Sequence, residues 1–143
     1  MAIVAMAATV STVLLTQQRD QLSAKAASRD ILALIREARE TALRTQGQAR
    51  FLMDIDQRLY WLERGSDGDS DSSGAKRALP DSVGLELFVA ESERDGGVGG
   101  LRFFPDGSST GGYIELQTGR RSYRIAVDWL TGAVSVKRHD AAG

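Results

Sequence analysis

The chain contains no cysteine, one histidine and two prolines, and its 18 lysines and arginines are matched by 19 aspartates and glutamates. Each shortage excludes something. Without cysteine there is no disulfide framework, no thiolate nucleophile and no cysteine-based zinc site, whatever the compartment. A formal net charge of −1 removes the broad electrostatic argument for nucleic acid as the main partner, because phosphate binding draws on a surplus of basic residues. Only local basic patches remain. No glycine or proline precedes Gly47 and no charged residue precedes Arg19, so the opening segment lacks turn formers and, at its start, any group that resists lipid.

What is present there is a run from Met1 to Leu15 that is almost wholly apolar or small. At roughly 1.5 Å per residue its ~15 residues give about 22 Å of helix, short of a hydrocarbon core of about 30 Å. No lysine or arginine stands in front of it, so it does not read as a cleaved signal peptide. The high Ala, Leu, Gln, Arg and Glu content then predicts one continuous helix over 1–46, apolar over 1–15 and amphipathic over 18–46. In the second part Ile31, Leu34, Ile35, Ala38 and Ala42 fall on one face, and Arg29, Arg36, Glu37, Arg39, Glu40 and Arg44 take the others as a solvated, ion-paired surface. Gly47 is placed to end the helix as its C-cap.

Beyond Gly47 the hydrophobic period changes to two. Phe51, Met53 and Ile55 alternate with Arg50, Leu52 and Asp54, and Asp56-Gln57 forms a short connection into "RLYWLER", which predicts a hairpin. Leu85 to Val89, Ile114 to Gln117, Tyr123 to Asp128 and Val134 to Lys137 alternate in the same way, so each strand is expected to bury one face. The predicted fold is α+β: a long N-terminal helix packed on an antiparallel β head over 47–143, with a loop at 64–78.

Three stretches invite a chemical reading. "LRFFPDGSSTGG", Leu101 to Gly112, is glycine-rich, but a phosphate cradle needs a strand, a loop and then a helix, and the residues after Gly112 alternate as a strand. Pro105, Asp106 and Gly107 have the chemistry of a tight turn, so the stretch is read as a hairpin bend. In "DGDSDSS", Asp67, Asp69, Asp71 and Ser73 alternate as in a calcium loop, yet Ser72 and Ala78 stand where glycine and a bidentate glutamate belong; a solvated loop without a calcium site is expected. His139 lies near a C-terminus expected to fray, with no serine or cysteine partner suggested. Trp129, beside a Thr-Gly turn, is expected to be a packed corner rather than a binding anchor.

"FFPDGSSTGGYIELQTGRRSYRIAVDWLTGAV", Phe103 to Val134, resembles the C-terminal signature of the GspH/FimT family, which includes the minor pseudopilin H of type II secretion systems. The shared features are the F-x-P-D-G-S-S-T-G-G turn and the strand ending in "VDWLTG", and the helix leading into "LIREARETALRTQGQARF" is similar to a pilin-type stem. The positions that carry the signature are Phe104, Pro105, Asp106, Gly107, Gly111, Gly112, Asp128, Trp129 and Gly132. The resemblance implies a non-catalytic pilin-like subunit; from the residues themselves no cofactor or metal is expected. It further implies anchoring in the inner membrane of a Gram-negative bacterium with the head in the periplasm. Precursor processing by prepilin peptidase, with methylation, goes with it. Implied partners are the major pseudopilin, the tip minor pseudopilins and secreted exoproteins, with Ile3, Val4, Val10, Val13, Leu14 and Leu15 packing in the membrane and filament core.

The family's basic leader ending in glycine, its Phe-Thr-Leu and its early glutamate have no counterpart here, so the peptidase site and the assembly glutamate are assigned to no residue. Either the start was assigned late or the chain is a deliberate truncation; upstream codons are expected to supply about nine mature residues and lengthen the apolar helix to a span of about 20 or more. The other branch of the family suggests a DNA-binding minor pilin. For that reading Leu116 to Gly143 offers Arg120, Arg121, Arg124, Lys137 and Arg138 against Asp128 and Asp140, an excess of five minus two, or three.

Overall fold

The structure, a computed structural model, describes residues 2–65 and 74–140, with side chains described for Arg19 and from Leu22 onward. Helix α1 runs over Ala2–Thr45 without interruption, as the absence of glycine and proline requires. Its face Ala24, Ala27, Ile31, Leu34, Ile35, Ala38 and Ala42 is buried. The helix ends in a Schellman motif, with Gly47 N–H donating to the Ala42 carbonyl at 3.3 Å. The left-handed residue of that motif is Gln46, at φ +54°, and not Gly47 as the sequence predicts. Glutamine takes the position with its side-chain amide donating to the Leu43 carbonyl at 2.7 Å, so one open carbonyl of the last turn is satisfied.

Among the described residues nine strands follow: β1 Ala49–Asp54, β2 Leu59–Arg64, β3 Arg77–Ala78, β4 Gly84–Val89, β5 Arg94–Asp95, β6 Val98–Phe103, β7 Gly112–Thr118, β8 Arg121–Val127 and β9 Val134–Asp140. They form two antiparallel sheets, one in the order β3-β2-β1-β6-β5 and the other β4-β7-β8-β9. The helix lies against both. Ile31, Ile35 and Ala38 share one core with Phe51, Met53, Leu101, Phe103, Ile114, Leu116 and Ile125. The sheets also touch directly, since a Cβ on Gly99 would lie 2.7 Å from Leu87 Cδ2. At its outer side α1 is tied down by Asp30, which accepts from Tyr60 Oη at 2.5 Å and from the Arg77 guanidinium.

Several expectations need correction. The β1–β2 connection is Ile55–Arg58, because Asp54 and Leu59 still pair and the Asp54 carboxylate caps the amides of Asp56 and Gln57. The loop expected over 64–78 ends in β3, which pairs with β2, while Asp67, Asp69, Asp71 and Ser73 lie outside the described residues. The first sheet buries more than one face: Leu52 and Trp61, on the side away from the helix, are 5% and 8% exposed, with Lys76 Nζ over the indole. The C-terminal segment is ordered into β9, full-length beside β8, yet nearly every residue of it is exposed because the strand overhangs the core. His139 is therefore a strand residue opposite Ser122 rather than part of a frayed end.

Candidate functional site

The signature residues converge on one end of the head. Phe104 to Ser108 closes a three-residue loop, with Gly107 N–H donating to the Phe104 carbonyl at 2.9 Å and Phe104 N–H to the Ser108 carbonyl at 3.0 Å. Pro105 supplies the fixed φ, and Gly107 the left-handed position at φ +89°. The Asp106 carboxylate accepts from the Ser108 hydroxyl at 2.6 Å and amide at 3.0 Å, which hold its pKa below the usual carboxylate range. The bend prediction needs one correction. Residues 102–104 pair locally with 108–110, but the flanking strands β6 and β7 belong to different sheets, so this stretch carries the chain across the sandwich.

The second signature stretch, Asp128 to Gly132, is built by one carboxylate. Asp128 Oδ1 accepts from Leu130 N–H at 2.9 Å, Thr131 N–H at 3.0 Å and Thr131 Oγ1 at 3.2 Å; the two backbone donors are the main reason its pKa is lowered. The two stretches then lock together. Ser109 N–H donates to the Trp129 carbonyl at 2.9 Å, and a Cβ on Gly111 would sit 2.9 Å from Trp129 Cβ. Gly132, at φ +70°, lies so close that a Cβ there would be 2.0 Å from the Gly107 carbonyl oxygen. Across this contact runs Arg39 of α1, donating from Nη2 to the Thr131 carbonyl at 3.2 Å. Arg39 reads in sequence as one more solvated helix charge; nothing local distinguishes it from Arg36.

Gly107, Gly111 and Gly132 are thus buried joints, Phe104, Pro105 and Gly112 are partly covered, and Asp106 and Asp128 are exposed. Trp129 overturns its expectation. Its backbone is packed, but the residue as a whole is 65% exposed, beside Leu130 at 63%. Across a groove stands Phe88, 61% exposed and stacked on Tyr113 at 5.1 Å, with the Arg124 guanidinium 4.1 Å from the centre of the Tyr113 ring. Phe88 and Trp129 thus form an exposed apolar patch of the kind found at interaction surfaces. After Gly112 the chain enters β7, so the glycine-rich loop does not open a helix N-terminus. Among the described residues no cluster of histidine, aspartate and glutamate could hold a metal ion.

The basic excess of the last strands is answered only in part within the fold, since among the described residues two of the arginines share Asp140 and Glu115 is the one further carboxylate. Arg121 pairs with Asp140 at 3.1 Å, Arg138 with the same carboxylate at 3.6 Å, and Arg124 with Glu115 at 2.8 Å. Ile3, Val4, Val10, Val13, Leu14 and Leu15 all lie within α1, but their side chains are outside those described. Among the described residues no helix is long and apolar enough to cross a membrane.

A long stem helix, a two-sheet antiparallel head and an apolar contact surface at the signature loops define a pilin-like assembly subunit. The fold is shared with the minor pseudopilin EpsH of the Vibrio cholerae type 2 secretion system, at a TM-score of 0.61 and 14% identity over 85% of this chain and 97% of that one. It is shared equally with the type IV minor pilin FimU of Pseudomonas aeruginosa, at a TM-score of 0.61 and 12% identity over 87% of this chain and 92% of that one. Fold alone does not separate secretion from piliation. Sequence does: residues 27–132 match the family of type II transport protein GspH, to which the chain belongs. It is also 32% identical over 136 residues to the type II secretion system protein H of Xanthomonas campestris pv. campestris, covering 93% of this chain and 74% of that protein.

Proposed function

We propose that this GspH-family member, a minor pseudopilin of a type II secretion system, sits at or near the tip of the pseudopilus and helps move folded proteins across the outer membrane. Its stem would be held in the inner membrane and then in the filament core, and its head would face the periplasm and bind other pseudopilin heads. The observation that supports this reading is the convergence of both signature loops on one outward apolar groove between Phe88 and Trp129. Such a surface offers contact area, and the role proposed for it is structural, as the family membership supports.

The stem half of the proposal is tested by charge. Aspartate at Val10 or Leu14 should cost about 2.5–3.5 kcal/mol at the centre of a bilayer helix. In cells lacking their own copy of the gene, Val10→Asp should abolish secretion while the periplasmic head remains folded and protease-resistant. Undiminished secretion by that variant would contradict a role for 1–15 in the membrane and filament core.

A further inference from the structure

The groove between Phe88 and Trp129 has a volume of about 580 Å³, and its character is one-sided. Its walls are aromatic and its floor is the backbone of Gly111 and Gly112, where a Cβ on Gly112 would lie 2.4 Å from the Phe88 carbonyl oxygen. Phe88 is held by its stack on Tyr113, and the backbone that carries Trp129 is held by Ser109 and the close approach of Gly111.

The charge that lines it has one sign. Among the described residues the lining includes two carboxylates, Glu91 and Asp128, and no lysine or arginine. Both residues are exposed, and the hydrogen bonds of Asp128 to its own loop all go to Oδ1. Glu86 adds a third exposed carboxylate on the face of β4 that presents Phe88. The nearby cations are engaged elsewhere, Arg124 with Glu115 and the Tyr113 ring, and Arg94 with the Leu87 carbonyl at 2.6 Å. An exposed indole face beside carboxylates favours a cation a second time, through its quadrupole.

We propose that this groove receives, from the head of a neighbouring pseudopilin, a large apolar side chain flanked by a lysine or arginine. The apolar group fills the slot between Phe88 and Trp129, and the cation meets Glu91 and Asp128 at its rim. This rests on the assembly reading given above, and deepens it by stating the partner's chemistry.

The test uses the full chain in dodecylmaltoside micelles with 5-fluorotryptophan at its two tryptophans, Trp61 and Trp129. The probes are N-acetyl-Phe-Arg-amide and N-acetyl-Phe-Glu-amide, followed by fluorine NMR. The arginine peptide should move the Trp129 resonance and leave that of buried Trp61 in place, with an affinity at least about fivefold above the glutamate peptide at low salt. Glu91→Gln should narrow that ratio and Glu91→Lys should invert it, the unmoved Trp61 signal reporting an intact fold. Equal affinity for the two peptides, or a Trp129 signal that does not move, overturns the proposal, while secretion lost through Val10→Asp would still stand for the assembly reading. Self-association of the chain that broadens Trp129 before any peptide is added also overturns it, by making the occupant a second copy.

Discussion

Gly132 shows how little freedom the signature loops have. It combines a left-handed φ of +70° with a neighbour, the Gly107 carbonyl, that a methyl group could not clear. Gly132→Ala should therefore lower stability by more than the roughly 1–2 kcal/mol of the backbone term alone. Gly119 provides the comparison, since its φ of +56° is similar but a Cβ there would meet nothing within 4 Å. Denaturant unfolding of both variants checks this, and equal losses would mean that the Gly107 contact gives way freely. Asp128 and Asp106 add a pH dependence. Hydrogen bonds hold both carboxyls below their unfolded values, so their contribution is present above pH ~4 and is lost as pH falls through the lower folded values. The melting temperature should fall in that acid range, and less steeply in Asp128→Asn. Turn chemistry made the Pro105-Asp106-Gly107 bend legible in sequence. The tie of the signature loops to the helix was not legible, because Arg39 and Thr131 are 92 residues apart and no local pattern joins them.

At the scale of elements, the helix is the best-determined part. Its buried stripe of Ile31, Leu34, Ile35, Ala38 and Ala42 is the one that the 3.6-residue period marks. The small residues in it let α1 approach the sheets closely. Leucine at Ala38, fully buried, should overpack that seam and cost about 1–3 kcal/mol, whereas leucine at exposed Ala33 should be nearly neutral. Thermal melts of the two variants distinguish a tight seam from a loose one. The strands were legible where one face alternates, as in β4, β7 and β8. They were not in β6, where Gly99 and Gly100 replace side chains because Leu87 lies against one face and Leu52 against the other. Nor does alternation reveal that β9 overhangs the core, since Val134 and Val136 repeat as buried residues do while Val136 is 40% exposed.

For the whole molecule, the fold places an apolar stem at one end and a contact surface, assembled from two distant loops, on the head. The motif residues of that surface were legible, but its exposed aromatic side chains were only half so: Trp129 reads as a corner, and Phe88 as one member of an alternating strand. Their exposure depends on how the second sheet meets the first, which no short-range pattern encodes. The central claim is that the head is built to bind pseudopilins rather than nucleic acid. It is tested most directly by measuring binding of the full chain in detergent micelles to tip pseudopilins and, separately, to duplex DNA across a range of salt. The account predicts pseudopilin binding that weakens only partly with salt, as a largely apolar contact should, and negligible DNA binding at physiological ionic strength. Tight DNA binding that falls steeply with salt, together with no pseudopilin binding, would contradict it.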